Sequence, residues 1–149
     1  MNISCKYIFM QFKIPKNTEK YEWTKHSLMK MQHYGLTAQR VLRVINNPQR
    51  VEEGVVEKTI AVMQPTSVST KDGKRVWSSE IWAMYRLQGG TNSKFQIPNF
   101  KQITKPKIQN LKPLFTKKLK IISAWRYPGV SPKNNPIPED IIREIEDLV

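Results

Sequence analysis

Lys71-Asp72-Gly73-Lys74 lies between two segments rich in strand formers, TSVST before it and RVWSSEIWAMYRL after it. Asp-Gly supplies the positive φ angles of a tight hairpin turn, because glycine has no Cβ and aspartate tolerates the left-handed region. The tetrapeptide therefore commits the middle of the chain to a β-hairpin. Val55 to Met63, preceded by a Glu53-Gly54 turn signal, reads as a further strand, as do KYEWT (20–24) and LKIISAWRY (119–127). Antiparallel neighbours joined by short turns are the economical arrangement for such strands.

Helical spacing appears in three places. KHSLMKMQHY (25–34) has Leu28, Met29, Met31 and Gln32 around one side, and Gly35 follows where a C-terminal cap requires positive φ. Thr37 then stands at an N-cap position before AQRVLRVINN. Ala38, Val41, Leu42 and Ile45 repeat at helical spacing and are expected in the core, which turns Gln39, Arg40, Arg43 and Asn47 outward. Asn46-Asn47-Pro48 ends that helix. After Pro136 and Pro138, Ile141, Ile142, Ile145, Leu148 and Val149 form an apolar stripe on a C-terminal helix. Glu139 and Asp140 suit the positive end of its dipole.

A chain of 149 residues fits one domain spanning 1–149. Residues 1–19 read as an N-terminal extension and 88–118 as an insert with three prolines, two adjacent glycines and seven lysines. An aperiodic connection of that length inside a compact domain points to function or disorder. Its apolar residues, among them Phe95, Ile97, Phe100 and Phe115, argue for partial packing on the body.

Charge narrows the partner class. The chain carries 25 Lys+Arg against 12 Asp+Glu, a net of +13. Between Ile81 and Pro138 there are 11 basic residues and no acidic one, whereas Glu139 to Val149 holds five acids and one arginine. Such segregation is the footprint of a polyanion binder, either nucleic acid or an acidic protein. A solvated basic surface kept for solubility is the plainer alternative. The single cysteine, Cys5, excludes an internal disulfide and a cysteine-based zinc cluster. No apolar run approaches the roughly 18 residues of a membrane span. Lys6 and Lys13 bracket too short an apolar stretch for a secretion signal. The expectation is a cytoplasmic protein with no membrane partner, no metal and no cofactor.

Two histidines, His26 and His33, lie seven residues apart on the first helix, with Lys30 between them. They are too few and too isolated for zinc, so they serve either helix packing or proton transfer. Arg126 falls by strand alternation on one face with Ile122 and Ala124, while Trp125 and Tyr127 share the other with Ile121 and Ser123. An arginine on an apolar face wants an anion, either a carboxylate such as Glu80 or a phosphate. Tyr85-Arg86 forms a similar pair that adjacency would bring beside it. Trp77, Trp82 and Trp125 are either core residues or platforms for unpaired bases. Lys94, Lys101, Lys105, Lys107, Lys112, Lys117, Lys118 and Lys120 can neutralise phosphates without exact placement.

The stretch YEWTKHSLMKMQHYGLTAQRVLRVINNPQRVEEG resembles the opening of the BrnT-type toxins and related small RelE/ParE-like proteins. The match runs through His33-Tyr34-Gly35-Leu36-Thr37 and Val41 to Pro48, and LKIISAWRYPG resembles the family's closing strand. Together these stretches cover about half the chain. Tyr34 departs from the family, which places a basic residue before this glycine. The resemblance implies an α+β, RelE-like fold, with two short N-terminal helices packed on a twisted antiparallel sheet and a C-terminal helix. It further implies RNA as substrate, a metal-independent ribonuclease activity and an acidic antitoxin protein as partner. His26 matches the family's helix-start histidine and Arg126 its closing-strand arginine. RNA cleavage without metal needs a base, an acid and cations for the phosphorane. His26, Arg86 and Arg126 are the candidates, with Glu80 and Tyr85 in support. A non-catalytic nucleic-acid- or protein-binding module on the same scaffold is the alternative.

Overall fold

The computed structural model describes residues 12–88, 118–134 and 136–146. In chain order the elements are β1 (Tyr21–Trp23), α1 (Lys25–Tyr34), α2 (Ala38–Asn46), β2 (Arg50–Glu53), β3 (Thr59–Thr66), β4 (Ser69–Lys71), β5 (Lys74–Val76), β6 (Ser79–Gln88), β7 (Lys118–Pro128) and α3 (Glu139–Glu146). The class is α+β: the described residues form three helices and a mixed five-stranded sheet in the order β1-β7-β6-β3-β2, with β4-β5 as a separate two-stranded ribbon.

The helix joint forms where cap chemistry requires it. Gly35 takes φ 66° and ends α1. The Thr37 side chain accepts from the Arg40 amide and starts α2. Asp72 and Gly73 both take positive φ, 51° and 74°, closing the β4-β5 turn. What looked like one long hairpin is interrupted in both arms at one level. Ser67, at φ 51°, separates β3 from β4, and Trp77-Ser78 separates β5 from β6. The hairpin thus has a base inside the main sheet and a distal ribbon outside it.

Alternation along the central strands divides the apolar residues into two layers. On one face Ile60, Val62, Ile81, Ala83, Tyr85, Leu119, Ile121 and Ala124 pack with Met31 and Leu36 and with Val41, Val44 and Ile45 of α2. On the other, Ala61, Met63, Trp82, Met84 and Trp125 pack under Ile137, Ile141 and Ile145. Each such large apolar side chain stabilises the fold by about 1.5–3 kcal/mol through burial. Val44 joins the α2 core stripe, while Ala38 and Leu42 are only half-buried. The α3 stripe holds at Ile141, Ile142 and Ile145; Leu148 and Val149 lie outside the described residues.

Three expectations need correction. The sheet is not wholly antiparallel: β1 pairs parallel with β7, Tyr21 opposite Leu119 and Trp23 opposite Ile121. Economy of short turns governs consecutive strands only, and these two are separated by most of the chain. Second, α1 buries His26, Ser27, Lys30 and Met31, and Met29 is left 53% exposed. Its inner face is polar because polar partners await it there. Third, the β6–β7 ladder slips at Met84/Tyr85: Met84 faces Ser123, Tyr85 faces Ile121, and Ile122 is left over as a bulge. Thr24 fastens this bulge to α1. Its hydroxyl donates to the carbonyls of Ile121 (2.9 Å) and Ile122 (3.0 Å) while accepting from the Ser27 amide. The bulge shifts the alternation, so Ile122 packs in the α3 layer with Trp125 and Tyr127, and Arg126 shares its face with Ala124 and Ile121.

Candidate nucleic-acid interface

Arg126 is exposed near the C-terminal end of β7. It lies in one row with Ile81 of β6 and Gln64 of β3, on the face that carries α2. Gln64 holds α2 over that row. Its amide nitrogen donates to the carbonyls of Asn47 (2.7 Å) and Arg43 (3.2 Å), and its oxygen accepts from Arg40 Nη1 (3.2 Å). Arg40 and Arg43 are therefore brought beside Arg126. The Arg40 pKa is lowered, first by burial of its guanidinium and then by the positive charges of Arg43 and Arg126. Neither Arg43 nor Arg126 has a carboxylate partner among the described residues. Three cations thus share one end of the sheet with no opposing acid.

The other end is differently arranged. Arg86, half-buried, sits across from Lys120 and Thr59, on the α3 side of the sheet. Five positions of β6 separate it from the Arg126 row, about 17 Å at roughly 3.3 Å per residue. Lys118 and Lys120 lie close to Glu22, at 3.9 and 3.7 Å. Gln88 and Lys118 pair directly, so the insert leaves and re-enters the sheet at neighbouring positions. Lys94, Lys101, Lys105, Lys107, Lys112 and Lys117 lie outside the described residues.

His26 belongs to neither end. It is 5% exposed, with Nε2 3.1 Å from Ser123 Oγ and Nδ1 3.5 Å from Glu144 Oε2. Lys30, one turn on, donates from Nζ to Glu144 Oε1 (2.9 Å) and Asp140 Oδ2 (3.5 Å). Burial lowers the His26 pKa, the Glu144 carboxylate working against that effect and Lys30 with it. Burial also works against the Lys30 charge, but Glu144 and Asp140 outweigh it and its pKa is raised. Ser123, His26 and Glu144 follow one another as hydroxyl, imidazole and carboxylate. A nucleophile must nevertheless reach its substrate. Ser123 is 0% exposed, so this network fastens α1 to β7 and α3. His33 is exposed and meets Tyr34 edge-on at 4.8 Å.

Glu80 does not pair with Arg126, because alternation sends it to the opposite face. There it is fully buried, accepting from Trp82 Nε1 (2.8 Å), Trp77 Nε1 (3.1 Å), the Ser131 amide (3.1 Å) and Ser131 Oγ (2.5 Å). Burial alone would raise its pKa; the hydrogen bonds from Ser131 and the two indoles override that and lower it. Arg50 completes the cage from behind. Its Nη1 donates to Ser131 Oγ (2.9 Å) and its guanidinium lies over the Trp82 ring. The cage holds the chain after β7 in place. Tyr85 is buried in the α2 layer, its pKa pushed up to about 12 by burial, so its hydroxyl does not ionise near neutrality. Trp82 and Trp125 are fully buried and stacked at 5.9 Å. Neither can offer a face to a base.

The proposed catalytic residues are therefore not brought together. Arg126 and Arg86 lie at opposite ends and on opposite faces, and His26 is enclosed between helices. Sequence reasoning left Arg40 and Arg43 as merely outward-facing. Their spacing of three on one helix was the signal that they act together. Two i, i+4 pairs, His26–Lys30 and Asp140–Glu144, likewise announced two helix faces of complementary charge. Among the described residues no group of three or more His, Cys, Asp and Glu is placed to hold a metal ion. No helix among them is long and apolar enough to cross a membrane. Comparison with family models, curated proteins and solved structures finds no match for this chain.

Proposed function

We propose that this protein binds RNA through the phosphate backbone, with Arg40, Arg43 and Arg126 as the anchoring cations. The observation that carries this reading is the arginine cluster at the β3–β6–β7 end, exposed at Arg43 and Arg126 and unopposed by any described carboxylate. Like charges held together repel, and a phosphate placed among them removes that repulsion while accepting charge-assisted hydrogen bonds. The net charge of +13 favours the same class of partner at longer range. RNA as the particular polyanion rests on the resemblance to RelE- and BrnT-type proteins, as does an acidic antitoxin protein, which would compete for the same cations. A ribonuclease would need its base and its cations around one phosphate. The separation of His26, Arg86 and Arg126 favours binding without cleavage.

Fluorescence anisotropy with labelled RNA tests this. Binding is expected to weaken steeply as salt rises from about 50 to about 200 mM. Arg126→Ala is expected to weaken it by roughly tenfold, about 1.4 kcal/mol. Total RNA incubated with the protein without added metal is expected to stay intact. Salt-insensitive binding, or binding unchanged in Arg126→Ala, would refute the reading; cleaved RNA would restore the toxin hypothesis.

A further inference from the structure

Among the described residues the β4-β5 ribbon has no structural employment. All six of its strand residues are exposed, and its one substantial neighbour is its own other strand. A two-stranded ribbon standing alone is marginal in water. Its sequence makes matters worse, because Lys71 and Lys74 face each other directly in the register. Like charges in directly opposed positions destabilise a strand pair. Arg75, opposite Thr70, is a third cation on the ribbon's other face, and within the ribbon Asp72 at the tip is the one acid. An anion held between the opposed lysines would turn this repulsion into attraction.

The ribbon continues the hairpin from the end of the sheet that carries Arg126. The row Thr66–Ser79 is the last of the β3–β6 ladder, two positions from the Gln64–Ile81–Arg126 row. Six residues from Ser67 to Asp72 allow a reach of about 20 Å beyond it at roughly 3.3 Å per residue. The arginine cluster and the ribbon are thus two separated cationic contacts on one end of the molecule. Single-strand binders depend on exposed aromatic platforms. Among the described residues none of the exposed large apolar side chains is aromatic, Trp77 is half-buried with its indole on Glu80, and Trp82 and Trp125 are sealed in the core. A double helix asks for no stacking platform. It offers phosphates on two strands across a groove, a spacing that two separated cationic contacts can match.

We propose that the β4-β5 ribbon is a phosphate-contacting arm that makes this protein a binder of double-stranded nucleic acid. The arginine cluster holds one backbone and the opposed pair Lys71 and Lys74 the other. This rests on the polyanion reading above, and the shared chemistry is the phosphodiester backbone of an RNA or a DNA duplex.

The test measures anisotropy with a short RNA duplex, one of its separated strands, and the DNA duplex of the same sequence. Two variants of the full chain are compared: the arm variant Lys71→Ala/Lys74→Ala and the cluster variant Arg40→Ala/Arg43→Ala/Arg126→Ala. Wild type is expected to bind duplex at least tenfold more tightly than single strand. The arm variant should lose that preference and reduce the slope of log affinity against log salt by about 2, near 0.9 per phosphate contact removed. Its melting temperature should be unchanged, because the arm lies outside both cores. An arm variant that binds duplex like wild type overturns the proposal while the RNA reading survives, provided the cluster variant still loses binding. Preference for single strand in the wild type also overturns it. Arm-dependent binding of the DNA duplex alone would support the arm and refute RNA as the partner.

Discussion

Two charged regions among the described residues use similar groups to opposite ends. Between α1, β7 and α3, an imidazole and an ammonium are enclosed and matched by Glu144 and Asp140. At the end of the sheet beneath α2, three guanidiniums gather with no carboxylate partner among the described residues. Paired charges in a closed setting hold elements in register and have nothing left to offer a ligand. Unpaired charges at a surface add little to stability and keep their full capacity for an anion. The candidate catalytic histidine lies in the first region and the candidate arginine in the second. Residue type alone does not separate structure from function; the company each residue keeps does.

Breaking the enclosed charges should cost stability and leave RNA affinity per folded molecule intact. Glu80→Ala should have the largest effect, about 3 kcal/mol, since it removes four hydrogen bonds and leaves the Trp82 indole N–H and the Ser131 amide buried without an acceptor. Chemical denaturation checks this. Lys30→Ala should follow at about 1–2 kcal/mol, because it strips the cation from the α3 carboxylates and opens space beside His26.

The pH dependence sharpens the same contrast. Because the His26 pKa is lowered in the fold, the unfolded chain takes up a proton first on acidification. The stability His26 contributes is full above its unfolded pKa of about 6.5, and is lost as pH falls through that value towards the folded one. The melting temperature of the wild type should fall over that interval, and His26→Gln should flatten the fall. Arg126→Ala should show the smallest stability effect, within about 0.5 kcal/mol, as an exposed side chain outside both cores.

Local chemistry was legible in the sequence. Gly35, Thr37 and the Asp72-Gly73 turn stand where their backbone requirements put them, and α2 follows from its spacing. Non-local geometry was not. Nothing near Tyr21–Trp23 states that its neighbour is β7 or that the pairing is parallel. The bulge at Ile122 arises because Thr24, distant in sequence, takes two consecutive carbonyls, and a strict alternation carries no sign of it. α1 misled because a periodicity reading assumes an apolar inner face, whereas Asp140 and Glu144 make a polar one acceptable. The site suffered from the same limit. Arg86 and Arg126 both end strands, but β6 and β7 run in opposite directions, so their ends lie apart.

The central claim is that the arginine cluster binds and the His26 network only holds the fold. The most direct measurement is RNA affinity, taken where all proteins are folded, for wild type, Arg40→Ala/Arg43→Ala/Arg126→Ala and His26→Gln. The account predicts a loss of about 10²-fold or more in the triple variant, which stays folded although it loses the Arg40–Gln64 hydrogen bond, and wild-type affinity in His26→Gln. Wild-type affinity in the triple variant, or RNA binding lost in a folded His26→Gln, would contradict it.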